Sequence, residues 1–279
     1  MKTIALFIFT VFTMSAFAQD DITICHTPAT ESFALFASNQ DFNADHPTPE
    51  AYVHQSEVGK MITYPTSGED ANAYMLKAKV TTDSYLFVIH EWWGLNDHIK
   101  REANKLYDDL GGLVNVIALD LYDGKIATTR EKASELMSSV DSERAKTIIK
   151  GALDFGGSGA EVMTIGWCFG GGWSLQAAIM AGDALKGCVM YYGMPEKDIN
   201  RLKMLNAPVL GIFAKQDGWI TPEVVDNFKA NMAQVEEELT VKMYDAKHAF
   251  ANPSNPEYDK DATEDAYRAV MAFIKPKLD

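Results

Sequence analysis

Short apolar runs alternate with amphipathic stretches along most of the chain, which predicts strands separated by helices. The predicted strands are Lys60–Tyr64, Ala73–Lys79, Ser84–His90, Leu113–Leu119, Glu161–Gly166, Lys186–Tyr192, Pro208–Ala214 and Leu239–Tyr244. The predicted helices are Asp97–Leu110, Ser142–Phe155, Phe169–Met180, Pro222–Val235 and Asp261–Ile274. This alternation indicates an α/β fold with a mostly parallel central sheet flanked by helices on both faces. The first two strands have no helix between them, so we expect them to pair antiparallel.

The start of the chain has the features of a signal peptide, which we assign to residues 1–18. Lys2 precedes an apolar run, Ile4 to Met14, that is too short to span a bilayer. The triplet ending at Ala18 is a small-x-small cleavage pattern, and polar residues follow it. We therefore expect a periplasmic or secreted protein whose mature chain has no membrane span. An uncleaved anchor or a buried helix is the alternative interpretation.

The mature chain divides into an N-terminal extension and one large domain. Residues 19–59 are polar and irregular in pattern, apart from a short apolar patch at Phe33 to Phe36. Residues 60–279 carry the alternating pattern and are long enough for a single α/β domain. A hydrophobic content of 47% supports a sizeable core, and a net charge of −14 argues against nucleic acid and anionic membranes as partners.

One turn carries the strongest chemical signal. A predicted strand ends in Gly166-Trp167-Cys168-Phe169-Gly170-Gly171, and a helix follows at once. This strand–turn–helix context is typical of a nucleophile elbow, in which a strained backbone lifts the nucleophile above the sheet. The helix N-terminus is expected to favour the thiolate of Cys168, and the Phe169 amide to donate to an oxyanion. The alternative is a buried cysteine in a glycine-rich turn.

Two more residues occupy the positions that a catalytic triad requires. Asp217 follows the strand that ends at Ala214, and His248 follows the strand that ends at Tyr244. The carboxyl ends of parallel strands meet at one edge, where catalytic groups gather. His248 would move the thiol proton, and Asp217 would orient the imidazole. Taken singly, Asp217 also fits an Asp-Gly turn, and His248 a surface loop.

Several motifs together resemble the dienelactone hydrolase family, over roughly residues 60–275. They are His90-Glu91-Trp92-Trp93-Gly94-Leu95-Asn96, Ala118-Leu119-Asp120-Leu121-Tyr122, the cysteine elbow, Asp217-Gly218 and His248-Ala249-Phe250. The resemblance implies an α/β-hydrolase fold and a triad of Cys168, His248 and Asp217. It also implies that Glu91 contacts the resting thiol and assists its deprotonation when substrate binds. The Trp92 amide becomes the second oxyanion donor beside that of Phe169.

The resemblance fails at the residues that clamp an anionic dienelactone. Family members that cleave dienelactone carry one arginine after the Asp-Leu-Tyr motif and one after the His-x-Phe motif. Here Asp123-Gly124-Lys125 and Ala251-Asn252 stand there. We therefore expect a small ester or lactone other than dienelactone as the substrate, with no cofactor. An acyltransferase using the same site, a non-catalytic ligand-binding module and a thiol oxidant sensor are the alternatives.

No metal site is predicted, and the other cysteines receive no catalytic role. His90-Glu91 lacks the second histidine of the zinc-helix pattern, because Gly94 occupies that position. The chain has three cysteines, so at least one thiol is unpaired. Cys188 lies in an apolar run and is expected to be a core thiol, although a Cys25–Cys188 disulfide remains an alternative.

Overall fold

The structure is a computed structural model that describes residues 28–278. The signal-peptide prediction and Cys25 lie outside these residues. The strands are β1 Lys60–Tyr64, β2 Ala71–Leu76, β3 Ser84–Ile89, β4 Asn115–Leu119, β5 Glu161–Trp167, β6 Leu185–Tyr191, β7 Val209–Ala214 and β8 Leu239–Tyr244. The helices are α1 Ala29–Ala34, α2 Gln40–Asp45, α3 Asp97–Asp109, α4 Arg130–Ser138, α5 Ser142–Gly156, α6 Phe169–Ala181, α7 Ile199–Leu202, α8 Pro222–Gln234 and α9 Lys260–Ile274.

All eight strands form one sheet in the order β1-β2-β4-β3-β5-β6-β7-β8. As expected, β1 and β2 pair antiparallel, and β2 is also antiparallel to β4. The remaining pairings are parallel. The predicted α/β-hydrolase fold, a mostly parallel sheet with helices, is confirmed. The sheet places the carboxyl ends of β3, β5, β7 and β8 at one edge, where the candidate site lies.

The centre of the sheet is fully enclosed, which explains why its strands are continuous apolar runs. Every residue of β4 and of β7 is buried. Helix α6 contacts β5, β6 and β3, and its residues Phe169 to Ile179 are all buried. A helix that is apolar on all sides belongs in the interior of a large core. This rigid support fixes the turn between β5 and α6.

Helix boundaries follow the capping residues where these are present. Thr221 accepts a hydrogen bond from the amide of Val224, and Pro222 occupies the first turn, as predicted for α8. Thr129 caps α4 in the same way by accepting from the Lys132 amide, although α4 was not predicted. Within residues 28–278, no helix combines the length and the apolar character needed to cross a bilayer.

The described part of the N-terminal extension is more ordered than its polar pattern predicts. We expected an irregular segment, but residues 29–45 form α1, a short 3₁₀ turn and α2. Phe33 and Phe42 are buried, although most of the residues around them are polar. Helix α1 contacts α6, the helix that follows the elbow. The extension is therefore packed against the edge of the sheet that carries the candidate site.

Candidate active site

Cys168 stands between β5 and α6 with a strained backbone, φ 57° and ψ −120°. A positive φ is uncommon for a residue with a side chain and costs about 1–3 kcal/mol. The turn also requires glycine, because a Cβ at Gly166 would lie 2.1 Å from the Gly170 carbonyl oxygen. The Cys168 amide donates to the Tyr191 carbonyl oxygen at 3.0 Å. The strand–elbow–helix geometry therefore agrees with the sequence prediction.

Asp217 and His248 lie on adjacent loops, after β7 and β8, and they are directly bonded. His248 Nδ1 lies 2.7 Å from Asp217 Oδ2. The other carboxylate oxygen accepts from the amides of Trp219 at 2.8 Å and Ile220 at 2.9 Å. Burial alone would raise the pKa of Asp217, but His248 and the two amides outweigh it, so the pKa lies below its usual value. Asp217 is therefore ionised and fixes the orientation of the imidazole.

The second imidazole nitrogen of His248, Nε2, is buried. In the neutral imidazole, a proton on Nδ1 that is bonded to Asp217 leaves the lone pair on Nε2. Among the described residues, this Nε2 has no hydrogen-bond partner. One ring nitrogen of His248 and one of His46 lie within 4.8 Å of Cys168 Sγ. The three predicted triad residues are therefore brought together, and no hydrogen bond joins Nε2 to Sγ.

The resting thiol of Cys168 differs from the thiolate expected from the helix N-terminus. Burial raises its pKa well above the usual value, and the negative charges of Glu91 and Asp217 raise it further. The Phe169 amide donates to the sulfur and lowers the pKa, but by less. Cys168 is only 1% exposed. The helix effect is thus real but smaller than desolvation, and the resting group is a neutral thiol.

Glu91 follows β3, and its carboxyl interacts electrostatically with His248 and Cys168. Burial raises its pKa to about 7, and the His248 ring and a hydrogen bond from Asn252 oppose that rise. Asn252 Nδ2 donates to Glu91 Oε2 at 2.8 Å. The sequence did not single out Asn252, although it occupies the segment where an arginine was absent. Its amide holds the carboxyl in place without adding a charge.

The two amides expected to stabilise an oxyanion come from different loops at this edge. Phe169 is the first residue of α6, directly after the nucleophile. Trp92 directly follows Glu91, and its indole is fully buried against Trp93 and Phe42. The Trp92 ring is thus part of the core, and only its backbone is available for the predicted role.

His90, which raised the question of a metal, has both ring nitrogens engaged. Its Nδ1 donates to the Glu91 carbonyl oxygen at 2.6 Å, and its Nε2 accepts from the Leu121 amide at 3.1 Å. The bond to Glu91 lies within the loop after β3, and the bond from Leu121 connects that loop to the loop after β4. His90 therefore positions the segment that carries Glu91 and Trp92.

A group from the N-terminal extension completes the site, and the sequence analysis missed it. His46 directly follows α2 and is 4% exposed. Its ring centroid lies 4.2 Å from that of Phe42, 5.2 Å from Trp92 and 5.2 Å from His248. Burial, followed by the neighbouring His248, lowers its pKa to about 3, so the ring is neutral. The Phe42-x-x-x-His46 spacing was the one available signal, because it places both residues on one helix face.

Beside this enclosed cluster lies an open recess of about 500 Å³. Glu91, Trp93, Tyr192, Asn252 and Arg101 are among the residues that line it. Cys168 and His248 do not line it, and the rings of Phe33, Phe42 and His46 pack 6.4, 6.3 and 5.2 Å from that of His248. The recess therefore reaches the site through Glu91 and Tyr192, whose ring lies 5.0 Å from that of His248.

Comparison with known proteins identifies the family of this chain. The sequence model of the Dienelactone hydrolase family matches residues 72–278. The chain belongs to this family of hydrolases. Carboxymethylenebutenolidase 1 of Cupriavidus pinatubonensis is 25% identical over 225 residues, covering 75% of this chain and 92% of the relative. The protein usf of Aquifex pyrophilus is 27% identical over 234 residues, covering 79% of this chain and all of the relative.

Solved structures of the family share the fold. A dienelactone hydrolase-like promiscuous phosphotriesterase from metagenomic libraries superposes with a TM-score of 0.69 at 21% identity, covering 79% of this chain and 98% of the other. The dienelactone hydrolase of Anabaena variabilis gives a TM-score of 0.58 at 16% identity, covering 81% of this chain and all of the other. The family match begins at residue 72, so the N-terminal segment that carries His46 lies outside it.

Proposed function

We propose that this protein is an exported hydrolase that cleaves a small carboxylic ester or lactone through a thioester on Cys168. One observation carries the proposal: His248 Nδ1 lies 2.7 Å from Asp217 Oδ2, and the same imidazole has a ring nitrogen within 4.8 Å of the sulfur of Cys168, which stands on a strained elbow. The similarity to a carboxymethylenebutenolidase supports ester chemistry, because a butenolide is a lactone. Membership of a hydrolase family supports water as the acceptor.

Acylation begins from the neutral thiol. When the substrate carbonyl binds, His248 Nε2 accepts the proton of Cys168, and the sulfur attacks the carbonyl carbon. The carbonyl electrons move onto the oxygen, where the amides of Trp92 and Phe169 donate hydrogen bonds. Collapse of this intermediate expels the alkoxide, which takes the proton from His248. Asp217 stabilises the imidazolium that exists between these steps.

Glu91 contributes to the first proton transfer. Its carboxyl has a pKa of about 7, so both protonation states are populated near neutral pH. The neutral form places no negative charge beside the developing thiolate while His248 takes the thiol proton, whereas the ionised form can accept that one proton in place of His248 and return it to the leaving alkoxide. Either protonation state of Glu91 favours formation of the Cys168 thiolate, which fits the role that the family resemblance implies.

Deacylation returns the site to its resting state. His248 Nε2 takes a proton from water, and the oxygen attacks the thioester carbonyl in the same oxyanion site. The carbon–sulfur bond breaks, the thiolate takes the proton from His248, and the carboxylic acid leaves. The net change is one ester and one water converted to one acid and one alcohol. For a lactone, the acid and the alcohol remain parts of one molecule.

The recess indicates a small substrate with no obligatory anionic group. The enclosed part of the recess measures about 50 Å³, since the figure of about 500 Å³ includes open solvent, so it accommodates only a small group. Arg101 lines it, but this guanidinium already pairs with Glu102 at 3.3 Å and lies 5.0 Å from the Tyr52 ring. Arg101 is therefore a poor substitute for the arginine pair of the dienelactone-cleaving members, which favours a simple ester or lactone.

Stopped-flow measurement with a chromogenic short-chain ester tests the nucleophile. We expect a burst equal to the enzyme concentration, followed by turnover. Cys168→Ala should abolish the burst and lower kcat by at least about 10³-fold. Cys188→Ala is the matched control, because Cys188 is a free, fully buried thiol on β6, away from the cluster. Turnover retained in Cys168→Ala would reject Cys168 as the nucleophile.

The export proposal has its own experiment. Expression of the full chain in a bacterium, followed by fractionation and intact-mass measurement, should give a periplasmic or secreted protein that begins at Gln19. A cytoplasmic protein with an intact start would contradict export and leave the hydrolase proposal unaffected.

A further inference from the structure

Three side chains from separate parts of the chain converge at one buried point. They are His46 after α2, Cys168 at the elbow and His248 after β8. One potential ligand atom from each lies within 4.8 Å of both others, and all three residues are buried. The triad mechanism needs Cys168 and His248 but does not use His46. The position of this third group therefore calls for a physical explanation.

The two imidazoles are held in the tautomer that offers a lone pair at Nε2. His46 Nδ1 lies 2.7 Å from the Phe42 carbonyl oxygen, which can only accept, so Nδ1 carries the proton. His248 Nδ1 donates to the Asp217 carboxylate in the same way. A ring whose other nitrogen donates to a carbonyl or a carboxylate is the usual arrangement of a metal-ligating histidine.

Both Nε2 atoms are also unsatisfied. In the region spanning residues 28–278, His46 Nε2 and His248 Nε2 are buried without a hydrogen-bond partner. A buried polar atom left unpaired costs about 1–3 kcal/mol, so two at one point are uncommon without a ligand. The Phe42 ring lies 6.3 Å from that of His248, and the Trp92 ring lies 5.2 Å from that of His46.

We propose that His46, Cys168 and His248 form a binding site for a thiophilic transition-metal ion of the Zn²⁺ type. One thiolate and two imidazoles match the ligand preference of Zn²⁺, and three protein ligands leave a fourth position for water. On binding, the ion replaces the thiol proton, which is released to solvent, while the imidazoles keep their protons on Nδ1. Tetrahedral Zn²⁺ places its ligand atoms about 3.3–3.6 Å apart. The three ligand atoms now lie within 4.8 Å of one another, so side-chain movements of about 1 Å bring them to these distances.

Two consequences follow for the protein. The ion fastens residues 28–46 to the domain, because His46 is the ligand that this segment supplies. It also occupies the nucleophile and the base together, so a loaded protein has no free triad. This second consequence rests on the proposed hydrolytic function, whereas metal binding itself does not.

Titration of the mature protein with Co²⁺, a spectroscopic substitute for Zn²⁺, tests the site without any substrate. We expect one equivalent to produce a thiolate-to-cobalt charge-transfer band and the ligand-field bands of a tetrahedral ion, both lost when Zn²⁺ is added. Cys168→Ser should remove the charge-transfer band. His46→Ala should weaken Zn²⁺ binding by at least about 100-fold. Cys188→Ser and His54→Ala are matched controls that should leave binding unchanged.

Activity measurements separate this proposal from the proposed function. If wild-type protein hydrolyses esters, stoichiometric Zn²⁺ should inhibit it, and His46→Ala should need about 100-fold more for equal inhibition. Absence of a cobalt–thiolate band in wild-type protein, or unchanged affinity in a folded His46→Ala variant, would overturn the metal site whatever the activity. If no ester is hydrolysed but the bands appear, the metal site stands and the hydrolase proposal fails.

Discussion

The carboxyl of Glu91, which is partly buried and lines the recess, should make the stability of this protein depend on pH in a defined window. Its pKa rises from 4.5 to about 7 on folding, chiefly through burial. The folded state therefore binds the proton more tightly than the unfolded state. Stability falls as the pH rises from about 4.5 to about 7, and above that range the full cost of ionising a buried carboxyl is present. The isosteric variant Glu91→Gln does not ionise and avoids this cost.

The expected difference follows from the two pKa values. At 1.36 kcal/mol for each pKa unit, the cost reaches about 3 kcal/mol above the folded pKa. At about pH 5 the same linkage gives less than about 1 kcal/mol. Glu91→Gln should therefore be more stable than wild type by about 3 kcal/mol at about pH 8, and nearly equal at about pH 5. The Asn252 amide can still donate to the new side-chain carbonyl, so the packing is preserved.

Urea unfolding of both proteins at the two pH values measures this difference directly. Glu50→Gln serves as the control, because Glu50 is exposed. Its unfolding free energy should differ from wild type by the same small amount at both pH values. A Glu91→Gln stability difference that does not change between pH 5 and pH 8 would refute the assigned burial and the raised pKa. At the same time, we expect lower kcat in Glu91→Gln, since the thiol loses a proton acceptor.

Three further outcomes are expected. Asp217→Asn should lower kcat by about 10²–10⁴-fold with little change in KM, as measured by steady-state kinetics; an equal loss through KM would contradict its orienting role. Phe42→Ala should lower the free energy of urea unfolding by about 3–5 kcal/mol. It should also speed the alkylation of Cys168 by iodoacetamide, and an unchanged alkylation rate would mean that Phe42 does not shield the thiol. Gly166→Ala should prevent folding or lower the unfolding free energy by several kcal/mol, because its Cβ would clash with the backbone of Gly170. Thermal unfolding followed by circular dichroism measures this effect, and a wild-type Tm would show that the elbow tolerates a methyl group.

The strands and the elbow could be predicted because their signals are local. Buried strands are continuous apolar runs, and the tight turn at Cys168 demands glycines at fixed offsets. The order of Asp217 and His248 along the chain then assigns both to one edge of the sheet, and the structure brings them within a hydrogen bond of each other. Local pattern and three-dimensional contact agree at these positions.

The features that were missed depend on contacts distant in sequence. His46 lies in a polar segment, and only the packing of α1 and α2 against the domain carries it to the site. The neutral resting state of Cys168 is implied by the family resemblance but not by the local pattern, because the helix effect is visible in sequence whereas desolvation is not. Helix α4 was overlooked although Thr129 caps it and Ala133, Leu136 and Met137 form its buried face.

The N-terminal segment that packs over the site also affects the apparent dissociation constant measured for a ligand of this protein. Phe33, Phe42 and His46 belong to the same chain as the domain, so they compete intramolecularly with any ligand that binds at their position. Their effective concentration at that position does not change with the protein concentration. Such a ligand binds only the fraction of molecules in which the segment is displaced, and its apparent dissociation constant rises by the inverse of that fraction. Each 1.4 kcal/mol of docking energy therefore raises the apparent constant about tenfold. A ligand that occupies only the recess beside Glu91, which neither Cys168 nor His248 lines, carries no such penalty.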